Sequence, residues 1–237
     1  MLLKKTMDYL TIKYQIFFEF FLRARDNTYY IFMFHDVVKD TSDMYDPEFC
    51  ITMDSFTLFC DKLKKNLNQS AWIPVITFDD GFQGVFENAY PILKSMSLNF
   101  TIFVTCDFLD QERYLSSDQL KELSQNSLCT IGSHTKSHSC LSKLSKEKLW
   151  EEIHQSKAFL QNLIRNPVEC FAYPYGDIFS VKKREKKCVR DAGYKYAFGT
   201  LCAGFDKNFQ GNYYIPRINV NEANWQKVVQ DSLEGKM

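Results

Sequence analysis

Seven short runs rich in Ile, Val, Phe and Tyr recur along this 237-residue chain, at 30–35, 73–78, 100–105, 129–134, 170–175, 196–200 and 214–220. Most are apolar at successive positions rather than alternate ones, which is how a strand reads when both of its faces are covered. Stretches with helical spacing separate them. One begins near Asp54 and another spans 85–96. A third opens at a Ser116/Gln119 pair that resembles a capping box. The longest, 145–164, sets Leu149, Ile153, Leu160 and Ile164 on one face. The next ends at Gly193, a natural helix stop, and 221–233 closes the series. Strands alternating with helices imply parallel βα units, in an open doubly wound sheet or in a barrel. In both, chemistry belongs at the C-terminal ends of the strands.

No repeat, low-complexity tract or linker divides the chain, and 45% hydrophobic residues suffice for a full core. Lys plus Arg and Asp plus Glu each number 29, so the formal charge is zero. A general nucleic-acid binder needs a basic excess, so nucleic acid is not an expected partner. The eight cysteines form no Cys-x-x-Cys pair and several sit in apolar runs, so reduced thiols are expected. Residues 1–28 read as an amphipathic helical extension ahead of a domain at 29–237. Asp8, Lys13 and Glu19 interrupt its apolar run, which therefore falls short of a membrane span. It is expected to pack on the domain or to touch a membrane through residues 9–25. With no secretion signal read, a cytoplasmic or membrane-associated protein is expected.

The strand ends carry unusual polar residues. The second run passes from apolar ITF straight into Asp79-Asp80-Gly81. Two adjacent carboxylates resist joint ionisation in a poorly solvated place, unless a cation or a division of roles relieves them. A solvated turn is the plainer alternative. The fourth run ends in His134, with His138 four positions on. With Asp80 these make a two-histidine, one-carboxylate set that leaves coordination positions open, as catalytic metal sites do. His35 ends the first run and faces the same mouth as an acid candidate, with Asp36 or another carboxylate tuning it. His154 lies among charges on the long helix and reads as a surface residue. The Tyr173-Pro174-Tyr175-Gly176-Asp177 turn can aim backbone N–H groups at the mouth. Arg217 interrupts an apolar run and so calls for a carboxylate partner, with Asp79 a candidate.

Taken together, the segments ITFDDGF, SHTKSH, FAYPYGD and DAGYKYAFGT resemble the polysaccharide deacetylase family, the NodB-like carbohydrate esterases. The resemblance spans roughly residues 30 to 220 and selects the barrel: an α/β, distorted (β/α)7, single-domain fold. It implies metal-dependent removal of N-acetyl groups from an acetylated glycan, releasing acetate. By position it makes Asp79 the base, Asp80, His134 and His138 the metal ligands, and Tyr175 the oxyanion N–H donor. The implied metal is zinc, and cobalt, nickel, iron or manganese would suit the same ligands. Two departures stand out. No arginine precedes Tyr173-Pro174, and no histidine follows His154. A permuted branch that includes poly-N-acetylglucosamine deacetylases carries the acid histidine on its first strand, in a segment similar to MFHDV, which gives His35 that role. Arg217 is expected to replace the missing arginine beside Asp79. An O-acetyl esterase, another amide or imide hydrolase, and a non-catalytic carbohydrate-binding protein remain as alternatives.

Overall fold

The computed structural model describes residues 28–66, 72–206 and 212–236. The helical extension expected at 1–28, with its membrane-facing stretch 9–25, lies outside the described residues except for Thr28. Thr28 opens β1 (Thr28–Phe34), and β2 (Asp36–Val38) and β3 (Cys50–Thr52) follow. Then come β4 (Trp72–Phe78), β5 (Phe100–Val104), β6 (Cys129–Ser133), β7 (Cys170–Ala172) and β8 (Tyr196–Phe198). β9 (Phe205–Asp206) and β10 (Ile218–Asn219) complete the strands among the described residues.

The main sheet runs β10-β1-β4-β5-β6-β7-β8, with every neighbouring pair parallel. These seven strands are the seven apolar runs. The last run does not hold one continuous strand. Ile215 bridges Phe198 of β8, and Ile218 then pairs with Phe32 of β1. The segment thus changes partner midway and closes the sheet into a distorted barrel. Pro216, at the change, has no N–H to offer a ladder, and the Arg217 N–H turns to the Leu201 carbonyl at 3.1 Å. The run at 170–175 is shorter than expected for a similar reason: the chain leaves β7 at Ala172 and turns through Pro174. Three strands escaped the sequence reading. β2 and β3 pair with each other, and β9 lies antiparallel on β1. Each has two or three residues, too few to show a period.

The helices are α1 (Met53–Asn66), α2 (Tyr90–Met96), α3 (Ser117–Gln125), α4 (Lys146–Ile164), α5 (Lys183–Asp191) and α6 (Trp225–Leu233). A π-helical turn, Val85–Ala89, leads into α2. Ser116 and Gln119 do form a capping box at α3. None of the helices among the described residues is long and apolar enough to cross a membrane. All eight cysteines are free thiols.

Two buried clusters explain the doubly apolar runs. Outward-facing Phe32, Phe34, Ile76 and Phe78 join Phe56, Phe59 and Leu63 of α1. Inward-facing Ile31, Val75, Phe103, Ala172, Phe198 and Ile215 fill the barrel. The Phe34 ring lies 5.2, 5.1 and 5.7 Å from those of Phe56, Phe59 and Phe78. Burying each such ring stabilises the fold by roughly 1.5–3 kcal/mol. The packing also anchors Phe78, the residue before Asp79. Gly132 in β6 makes room for Phe103, whose ring a Cβ there would meet at 2.5 Å.

Candidate active site

Asp79 and Asp80 leave β4 in different directions. Val75, Thr77 and Asp79 follow the two-residue period of the strand, and Thr77 and Asp79 are both buried. Asp80 then takes φ +69, a left-handed turn into Gly81 at φ +88. The two carboxylates consequently meet different partners.

Asp79 meets Arg217. Nη1 donates to Oδ1 at 2.6 Å and Nη2 to Oδ2 at 2.7 Å, a bidentate pair with the arginine fully buried. The arginine Nε donates to the Gly199 carbonyl at 3.0 Å, and its guanidinium lies 5.2 Å from the centre of the Phe103 ring. Burial alone would raise the Asp79 carboxyl. Arg217, with His134 behind it, outweighs burial and holds it down at about 2.

Asp80 meets the histidines. Its Oδ1 is buried without a hydrogen-bond donor. It lies 3.4 Å from His138 Nε2 and 3.6 Å from His134 Nε2. Burial first, then the neighbouring Asp79 charge, push the Asp80 carboxyl up to about 7. His134 Nδ1 sits 2.9 Å from the Ala172 carbonyl, an acceptor only, so that nitrogen carries the hydrogen and Nε2 presents its lone pair. Burial pushes His134 down to about 3 and lowers His138 too, so both rings are neutral at pH 7. Ligand atoms of Asp80, His134 and His138 all lie within 4.8 Å of one another. Two neutral imidazoles and an orphaned carboxylate oxygen fit a divalent first-row cation.

The remaining residues rim this centre. His35 follows β1 and is half-buried, with its ring edge against Phe49 at 4.8 Å. Burial lowers it to about 4, while the Asp79 charge pulls it back up. Asp36 does not tune His35, contrary to one expectation. It turns to Val37, Gly84 and Arg113, and the carboxylate acting on His35 is Asp79. The Tyr175 ring lies 5.3 Å from that of His138, and its backbone N–H has no acceptor among the described residues. Gly176 closes the turn at φ +62, where a Cβ would meet Thr200 Cγ2 at 2.7 Å. His154 stacks on Trp150 at the surface, away from the site.

Strain concentrates here. Asp80, Thr135, His138 and Tyr175 make up half of the eight non-glycine residues at positive φ among the described residues. Such conformations persist where surrounding contacts over-determine them. One of those contacts involves Glu152 of α4, a residue that nothing in the sequence singles out.

A polysaccharide deacetylase domain matches residues 68–197, more than half of the chain. The chain belongs to the polysaccharide deacetylase family. Poly-beta-1,6-N-acetyl-D-glucosamine N-deacetylase of Staphylococcus aureus is 28% identical over 193 residues, covering 76% of this chain. The chain spans 64% of that relative's length, under two thirds. A polysaccharide deacetylase from Bacillus cereus superposes with a TM-score of 0.76 at 20% identity, over 87% of this chain and 69% of that one. A deacetylase from Streptococcus pyogenes, solved in complex with acetate, gives 0.75 at 20% identity, over 87% and 98%. At that identity the likeness establishes the family's (β/α)7 fold.

Proposed function

We propose that this polysaccharide deacetylase is a metal-dependent hydrolase that removes N-acetyl groups from a glycan containing N-acetylhexosamine, releasing acetate. The observation that carries the reading is the split of two adjacent aspartates, one locked to Arg217 and the other left without a donor between two imidazoles. Asp80, His134 and His138 would hold a divalent ion, with zinc first among those that suit them. When bound, that ion would supply Lewis acidity toward the acyl oxygen and a water molecule.

The protein's own groups do the rest. Asp79, ionised at neutral pH, takes a proton from the attacking water. The Tyr175 N–H donates to the oxygen of the tetrahedral intermediate. His35 is neutral at rest, held at about 4, so it acts as acid only after receiving a proton. The proton that Asp79 lifts from water supplies it, and His35 passes it to the departing sugar nitrogen. One water is consumed, the C–N bond breaks, and acetic acid and a free amine result. Arg217 keeps Asp79 ionised and oriented. The absence of an arginine before Tyr173-Pro174 lends some support to the alternative of a non-catalytic carbohydrate-binding protein. Arg217, in the segment just before β10, weighs against that alternative by bracing Asp79.

Poly-β-1,6-linked N-acetylglucosamine is the first substrate to try, because the S. aureus relative bears that activity in its name. The test combines metal analysis of the purified chain with acetate release from N-acetylglucosamine oligomers and from O-acetylated sugars. Metal-dependent release from the N-acetylated set supports the proposal. Release from the O-acetylated set alone makes the protein an esterase.

A further inference from the structure

The two histidine ligands stand at the ends of a five-residue loop, 134–138, whose backbone is strained. Thr135 and His138 both sit at positive φ, +70 and +60, without being glycine. Two neighbours hold this backbone: the segment after β5, where the Val104 carbonyl accepts from the His134 N–H at 2.8 Å and the Cys106 and Asp107 N–H groups donate to the Thr135 and Lys136 carbonyls at 3.2 and 2.8 Å, and α4, which alone takes up the Lys136 and Ser137 N–H groups. Glu152 Oε2 accepts from the Lys136 N–H at 3.1 Å and the Ser137 N–H at 2.9 Å. Glu152 Oε1 accepts from the Ser137 hydroxyl at 2.6 Å. Within the loop, Thr135 Oγ1 accepts from the His138 N–H at 3.0 Å. Four residues along α4, on the same face, the Ser156 hydroxyl lies 2.8 Å from that of Ser133, the residue before His134. One helix face thus grips the strand end that launches the first ligand and the loop that delivers the second.

We propose that Glu152 is a positioning residue of the metal centre: it holds the 136–137 part of the loop so that His138 faces Asp80 and His134. This rests on the metal-site reading above. Glu152 touches neither the ion nor the substrate, and acts through the backbone of the residues between the two ligands. A carboxylate suits the task because it only accepts, and all three groups it meets here are donors. The amide of a glutamine accepts at one end and donates at the other, so it can serve the loop only in part. Glu151, its neighbour, is exposed and makes none of these bonds, which makes it the internal control.

The experiment measures Zn²⁺ affinity of the full chain by chelator competition, and the visible spectrum of the Co²⁺-loaded protein, which reports ligand geometry. Wild type, Glu152→Ala, Glu152→Gln and Glu151→Ala are compared, with thermal unfolding of each metal-free form. Outer partners of metal ligands typically matter by 10–100-fold in affinity. Glu152→Ala is expected to bind Zn²⁺ about 10–100-fold more weakly with an altered Co²⁺ spectrum. Glu152→Gln should fall between, and Glu151→Ala should match wild type. If Glu152→Ala does not fold, the Gln variant decides. Wild-type affinity and spectrum in the folded Glu152 variants would overturn the inference while leaving the metal site intact. Failure of the wild-type chain itself to bind Zn²⁺ or Co²⁺ would overturn the metal site and this inference with it.

Discussion

The two halves of the mouth are built from the same residue type and finished to different degrees. On one side Asp79 is fully satisfied: each oxygen takes a guanidinium N–H, and the arginine's third donor group has its own carbonyl. On the other, Asp80 is nearly as buried, yet one of its oxygens has no donor and faces the Nε2 atoms of two imidazoles. The Asp79 half is complete in the protein alone. The Asp80 half is costly until a cation arrives, because a buried acceptor without a donor and two dehydrated imidazoles gain nothing from one another. A shared burial therefore yields two chemistries, a permanent base and a ligand. The backbone turn at Asp80 and the single residue Arg217 make the difference.

The comparison breaks most severely at Arg217. Arg217→Ala leaves the Asp79 charge buried and unpaired, and denaturant unfolding should show a loss of about 3–5 kcal/mol. Arg217→Lys should recover only part of this, since a point charge cannot make the bidentate contact. Next is Asp79→Asn, which removes the base but none of the three metal ligands. Acetate release should fall about 10²–10⁴-fold while Zn²⁺ stays bound, as metal analysis of the dialysed protein would show. Full activity in that variant would refute the base assignment.

Asp80→Asn sharpens the other half through pH. The Asp80 carboxyl stands at about 7 in the fold against an ordinary 3.8. Between those values the metal-free folded state holds a proton that the unfolded chain releases, so this group's contribution to stability falls as pH rises. His35 and His134, lowered to about 4 and about 3, act the opposite way up to the ordinary histidine value of 6.5. Both histidines are present in wild type and variant, so the difference between the two proteins isolates Asp80. With chelator present, Asp80→Asn should gain on wild type as pH climbs from about 4 to about 7, reaching about 1–3 kcal/mol. Saturating Zn²⁺ should reverse the order. A difference that does not change with pH would mean that Asp80 already has a donor in solution.

Both halves were legible in the sequence, and the Glu152 support of the Asp80 half was not. The barrel was legible too, because its strands are covered on both faces, and the two clusters either side of β1 and β4 leave an apolar run that needs no partner to be seen. Asp79, Asp80, His134 and His138 stood out as polar residues where apolar strands end. Arg217 stood out as a cation in an apolar run, and a buried cation requires an anion. What could not be read was the effect of partners distant in the chain. Glu152 sits in WEEIHQ among other charges, and nothing local separates it from the exposed Glu151. Asp36 follows His35 directly, yet points elsewhere, because adjacent residues in extended chain face opposite ways. The β2–β3 pair was hidden by strands of three residues flanked by polar loop.

The smallest expected effect belongs to Tyr175, where backbone and side chain can be separated. The side chain is 59% exposed and touches the site only through its ring against His138. The proposed contribution is the N–H, which any residue but proline provides. Tyr175→Gly keeps the donor and suits the local φ of +65 better than tyrosine does. Relief of that strain and the greater freedom of glycine in the unfolded chain oppose each other, so stability should stay within about 1 kcal/mol of wild type. Losing an oxyanion donor costs about 10²–10³-fold in kcat, so a variant that retains the N–H should remain far above that loss. A fall of about 10²-fold or more on N-acetylglucosamine oligomers, with Zn²⁺ affinity unchanged, would transfer the role to the phenol ring. The Tyr175 side chain would then belong to the working surface of the mouth and the N–H to its scaffold.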